Sequence, residues 1–337
     1  MSRSLRAPIT QDQLEPLAPN ENVLQFSSLP SEDQLRRIAE LLEPRPDVAL
    51  RVYGGYDGTI SDLEFLRFFP FLRRFSADAL YNQLTSLDGL RHLPPTLERL
   101  LIGRTRKRMS LAPIERFGDL HMLFVEGAHK DFEVISGLTQ LEDLTLRSVT
   151  LPDLSILLPL HRLRKLDLKL GGTRDIRLLP RIGRLQYVEL WLIRGLDDVG
   201  PVAEVETLQH LFLQALKQVT RLPSFARSTE LRRVDLQTMK GLTELAPLAE
   251  APNLEILTLI EMRHLQPDAL RPFMGHPSLR AGIWDLGSRR KDADAQDLLP
   301  LPPEPFGYAG ARSGEPARDD PAPWFRPDWD GFRSADV

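Results

Sequence analysis

Leucines return along this chain at a nearly constant interval, in the frame L-x-x-L-x-L, and few architectures tolerate that. The first leucines of successive frames are Leu72, Leu97, Leu120, Leu141, Leu163, Leu185, Leu208, Leu231, Leu254 and Leu279, so the steps run from 21 to 25 residues. A period of this size means that one small supersecondary unit is repeated, each copy too short to bury its apolar face alone and stable only when stacked on its neighbours. The length agrees: 337 residues exceed the roughly 250–300 at which a single compact core stops growing, whereas a stacked array has no such ceiling.

Within a unit the apolar period changes. Leu231, Val234 and Leu236 surround Arg233, Asp235 and Gln237, and alternation of this kind predicts a strand with one face buried. One strand per repeat, each beside the next, predicts a parallel sheet. Beyond the strand the interval becomes three, at Met239, Leu242, Leu245 and Leu248, and Val219, Leu222 and Phe225 do the same one coil earlier. Residues three apart eclipse in a 3₁₀ helix, so these return segments are expected to be 3₁₀ or irregular. Prolines 159, 180, 201, 223, 247 and 272 fall in the returns and outside the strands, where a missing N–H costs no ladder bond.

Two stretches show the frame cleanly, LEDLTLRSVTLPDLSILLPLHR from Leu141 and LRRVDLQTMKGLTELAPLAEAPN from Leu231. On these residues the chain resembles the leucine-rich repeat family over about residues 46–286, in about ten repeats of 21–25 residues. The resemblance implies an α/β solenoid, a curved horseshoe with a parallel sheet on its concave face and 3₁₀ or irregular segments on its convex face. The convex pattern is similar to the internalin and phosphatase-regulator type. That type places Asn at the ninth position; here the ninth residues are Thr105, Ala128, Val149, Gly171, Ile193, Leu216, Met239 and Met262. The turns are therefore expected to be held by packing and backbone bonds.

The ends of such an array need covers. Residues 1–45 are read as an N-terminal segment with a short capping helix: in SEDQLRRIAELLE, Ser31 and Gln34 fit a capping box and Pro44 stops the helix. Val48, Leu50 and Val52 then alternate as a first strand, and Phe65, Phe68, Phe69 and Phe71 form an apolar plug. Residues 287–337 are read as a Pro-rich tail, partly disordered or capping. Two readings of it compete: either Leu298 to Pro305 lies over the last coil as a cap, or the aromatic stretch WFRPDWDGF is a motif that docks elsewhere.

Composition excludes much chemistry. The chain has no cysteine, hence no disulfide, thiolate nucleophile or thiolate metal site. Its 43 basic and 47 acidic residues give a net charge of −4, without the broad basic stripe of a nucleic-acid binder. MSRSLRAPITQDQLEP has no signal-peptide core and no apolar run is long enough for a membrane span, so a cytoplasmic protein without a membrane partner is expected. The excess of arginine over lysine points to a GC-rich bacterial genome. The seven histidines form no H-E-x-x-H, and there is no G-x-S-x-G, P-loop or G-x-G-x-x-G. Gly54, Gly55 and Gly58 read as a turn, and Arg104, Arg106, Lys107 and Arg108 as a charged loop. No catalytic residue, metal or cofactor is expected.

The informative positions are the third, fifth and seventh of each repeat, which alternation turns away from the leucine core. They collect Tyr187, Trp191, His210 and Phe212 on adjacent strands around Glu189, expected to form one apolar patch. Phe124, Glu126, Arg147, Lys165, Asp167 and Lys169 lie to one side and Arg233 and Asp235 to the other. Aromatic anchors within a charged rim are the composition of a protein-binding surface, although the charges also fit a self-neutralising cross-strand ladder. The expected function is a non-catalytic protein–protein interaction module binding a partner on the concave face. The alternatives are an enzyme regulator of GTPase-activating kind using Arg147 or Arg233, and a secreted effector or toxin-neutralising protein.

Overall fold

The structure, a computed structural model, describes residues 1–54, 59–80 and 83–303. Among these, thirteen parallel strands follow one another in chain order. Contacts divide the described residues into two units, the first comprising Met1–Ser148 with Pro159–Arg162, and the second Val149–Leu158 with Leu163 to Pro303.

The first unit contains β1 (Ser2–Leu5), β2 (Val23–Phe26), β3 (Ala49–Tyr53), β4 (Arg74–Asp78), β5 (Arg99–Ile102), β6 (Met122–Glu126) and β7 (Asp143–Arg147). The second contains β8 (Lys165–Lys169), β9 (Tyr187–Trp191), β10 (His210–Gln214), β11 (Arg233–Gln237), β12 (Ile256–Ile260) and β13 (Ala281–Trp284). Register follows the repeat frame: Tyr187, His210, Arg233 and Ile256 are successive partners, as are Glu189, Phe212, Asp235 and Thr258. No other pairing keeps the leucines of each strand in the core.

The returns are mainly 3₁₀ turns, as the three-residue spacing requires, for example Gly200–Glu204 and Pro267–Phe273. Met239, Leu242, Leu245 and Leu248 are buried to the last per cent. From Val149 onward the ninth-position residues are buried. The turn is held by the residue before it. Ser148, Leu170, Leu192, Ala215, Thr238 and Glu261 all take φ of 50–57°, the left-handed region. In the second unit the N–H of Leu170, Leu192, Ala215 and Thr238 donates to the carbonyl of Trp191, Gln214, Gln237 and Ile260 respectively, at 2.8–2.9 Å. Each coil thus hands its exit turn to the next strand through the backbone.

The capping box forms as expected: the Ser31 hydroxyl accepts from Gln34 N–H and the Gln34 side chain accepts from Ser31 N–H, starting α1 (Glu32–Leu42). Its place differs from the reading of residues 1–45. β1 and β2 precede it and pair in parallel with each other and with β3, so α1 fills the return between β2 and β3. SRSL and VLQF lack the leucine frame, and β2 is buried on both faces, which erases alternation.

At the other end the chain forms two helices, α2 (Ala246–Ala249) in a return and α3 (Arg289–Leu298) after the last strand. The Ser288 side chain caps α3 by accepting from Lys291 N–H. The helix itself was not expected from this polar segment, whereas Ala295 and Leu299 are buried against the last coil, as the capping reading of the tail requires. Pro302 then accepts a hydrogen bond from Gly282 N–H at 3.0 Å, so residues 299–303 run beside β13. The Trp284 ring lies directly over Gly282, where a side chain would stand 2.4 Å from it. The aromatic stretch from Trp324 lies outside the described residues, as do Gly55 and Gly58.

Candidate functional site

In the second unit the third, fifth and seventh residues of β8 to β11 stand on the face opposite the leucine core. They form a connected polar chain. Lys165 Nζ lies 3.4 Å from Asp167 Oδ2, and Lys169 Nζ bridges the same oxygen at 3.3 Å and Glu189 Oε2 at 2.8 Å. Tyr187 donates its hydroxyl to Glu189 at 3.1 Å. The Tyr187 ring meets the His210 ring edge-on at 4.7 Å, and His210 Nε2 lies 2.6 Å from Asp235 Oδ2. Arg233 closes the chain, donating Nε to Asp235 Oδ2 at 2.8 Å and a terminal nitrogen to Oδ1 at 3.2 Å.

Three carboxylates and three cations lie along this chain, so it neutralises itself. Two expectations are corrected here. The fifth-position residues were taken as exposed, yet Asp167 is 1% exposed, Glu189 8% and Asp235 4%. Strands about 4.8 Å apart place the longer third- and seventh-position side chains over the central row. The four aromatics were expected to form one apolar patch, but carboxylates separate them: Phe212 has Glu189 and Asp235 as its register partners. Tyr187 and His210 do meet; Trp191 lies in register between Lys169 and Gln214, and both it and Phe212 are half-buried.

Burial and neighbouring charge set the protonation of the chain. Burial opposes a charge on Asp235, but the Arg233 guanidinium and His210 hold it well below the usual carboxylate range. Burial pushes Glu189 up, as does the charge of Asp167, while Lys169 pulls it back. Burial likewise works against Lys169, yet Asp167 and Glu189 keep it above the ordinary lysine value. Burial, and then the Glu189 and Asp167 carboxylates, push the Tyr187 hydroxyl well up. Burial lowers His210 against the pull of Asp235, so its neutral form is favoured.

The remaining candidates lie in the first unit. Phe124 packs with Leu101 and Met122 in a buried apolar cluster on the corresponding face rather than standing free. Glu126 and Arg147 pair across β6 and β7 at 3.4 Å. Both arginines considered as projecting fingers therefore carry carboxylate partners. No group of three or more His, Cys, Asp or Glu suited to a metal occurs among the described residues, and none of their helices is long and apolar enough to cross a membrane.

Sequence reading missed Leu192. It follows Trp191 at the eighth position with φ of 50° and is 37% exposed, because the left-handed turn swings it out of the core. Nothing in the local sequence marks that turn.

No family model and no curated protein matches the sequence. Solved structures do. An internalin (inlF) from Listeria monocytogenes superposes with a TM-score of 0.56 at 18% identity, covering 89% of each chain. The fold is a leucine-rich repeat solenoid. An internalin C2 of the same organism gives a TM-score of 0.42 at 23% identity, over 58% of this chain and 82% of that one. A leucine-rich repeat protein of Leptospira interrogans gives 0.45 at 14% identity, over 85% and 80%. The solenoid supplies the rows of third, fifth and seventh residues; their chemistry belongs to this chain.

Proposed function

We propose that this solenoid is a non-catalytic recognition module whose second unit takes a partner protein on the face formed by β8 to β12. One observation carries the reading: two half-exposed aromatics, Trp191 and Phe212, stand on that face beside a polar chain whose charges are already satisfied. Held side chains lose little freedom when a partner arrives, and burying aromatic area supplies the driving force. Asp167, Glu189, Arg233 and Asp235 then act as the frame that holds the anchors, and Trp191, Phe212, Gln214 and Gln237 make the contact.

Affinity capture from the native host lysate, comparing the wild type with Trp191→Ala/Phe212→Ala, tests this. A protein retained by the wild type and lost by a variant of unchanged melting temperature supports the reading and names the partner. Identical eluates from two folded proteins refute it.

A further inference from the structure

The rim beside this face carries a second regularity. Three residues after the end of β9, β10, β11 and β12 stand Arg194, Lys217, Lys240 and Arg263, one cation on each of four consecutive coils. All four are exposed, and among the described residues none of them makes a salt bridge. Many other arginines of the chain lie against a carboxylate, as Arg3, Arg51, Arg91, Arg177, Arg233 and Arg280 do. The fold requires no cation at this position, since Thr150 and Gly172 occupy it in the two preceding coils.

We propose that this row is the docking rail for an acidic, extended segment of the partner protein. The inference rests on the second unit being the binding unit and adds the chemistry of what it binds. Strands about 4.8 Å apart set four cations in a file about 14 Å long, the length of four or five extended residues. Exposed carboxylates share these coils, Asp197 and Asp198 after β9, Glu244 after β11 and Glu261 at the end of β12. A thin acidic chain can follow the file, whereas a nucleic-acid duplex or a membrane would lay its negative charge over these carboxylates as well. The net charge of −4 opposes a nucleic-acid partner further. Leu192, exposed next to Trp191 at the start of the row, offers a seat for one apolar side chain of the segment.

The probe is a fluorescein-labelled heptapeptide, Glu-Asp-Glu-Leu-Glu-Asp-Glu, titrated by fluorescence anisotropy with the full chain at physiological ionic strength. Wild type is expected to bind it, and R194E/K217E/K240E/R263E to bind it about tenfold or more weakly. K217Q/K240Q, which removes charge without adding any, is expected to fall between. The control R106E/K107E/R108E, which reverses the basic loop after β5, is expected to bind as wild type does. Absent binding, equal loss in the control, or tighter binding of an oligothymidylate of equal charge overturns the proposal. The two proposals fail separately. If partner capture survives K217E/K240E but not W191A/F212A, the rail is wrong and the binding face stands; if it survives both, the binding face falls as well.

Discussion

His210 and Asp235 meet across β10 and β11 with Nε2 and Oδ2 2.6 Å apart, and Arg233 reaches the same carboxylate from two residues away on β11. One buried carboxylate therefore serves two partners on the open face of the sheet. Its removal should be felt as folding stability before it is felt as binding.

Asp235→Asn keeps the shape and deletes the buried charge, leaving the half-buried Arg233 beside a neutral amide. Breaking one side of a buried, hydrogen-bonded pair costs about 3–5 kcal/mol. Urea denaturation of the variant is expected to show a loss in that range, with an unchanged slope. A loss below about 1 kcal/mol would mean that the pair is solvated and behaves as a surface salt bridge.

Acid should weaken the fold through His210. Burial lowers its pKa from the ordinary value of 6.5, so between that value and the lower folded one the unfolded chain holds a proton that the folded chain does not. Stability then falls as pH falls through that window, and is unaffected by this group above it. His210→Asn is expected to flatten the decline in chemical melts stepped downward from neutral pH. A decline of equal slope in the variant would assign it to other groups.

The left-handed exit turns make a paired prediction. Ala215 sits at φ 55° and Gly127 at φ 98°, both in the eighth position. An L-residue in this region costs about 1–2 kcal/mol, and glycine gives back about 0.5–1 kcal/mol through the unfolded chain. Ala215→Gly is thus expected to stabilise by about 0.5 kcal/mol. Gly127→Ala should destabilise by more than 1 kcal/mol, since its new Cβ would also stand 3.3 Å from the Arg104 side chain. Thermal melts of the two variants should move in opposite directions.

Ser31→Ala removes one half of the capping box of α1 and is expected to cost about 1 kcal/mol. Ser31→Asp, which restores an acceptor to the Gln34 N–H, should recover most of it. Failure of the Asp variant to recover would place the loss in packing rather than in the cap.

The face of each strand was legible because alternation has only two outcomes. Val234 and Leu236 point to the core, so Arg233, Asp235 and Gln237 point away. What those residues do was not legible. Period two says which side a side chain takes, and exposure on that side depends on the strands to left and right, one repeat distant. Asp167 reads as a surface charge from its own repeat and is buried beneath Lys165 and Lys169. β1 and β2 escaped notice for a related reason: without the leucine frame, four buried residues such as VLQF carry no period at all.

The amino-acid sequence by itself determined the repeating unit, the parallel pairing, the 3₁₀ returns and the candidate face, because each follows from the spacing of apolar residues within about twenty-three positions. The tertiary structure alone decided that α1 lies within the array, that the exit turns are left-handed, and that Tyr187, Glu189, His210 and Asp235 form one buried polar chain. Those features arise from side chains of different repeats crowding one sheet, and spacing along a single repeat carries no record of that crowding.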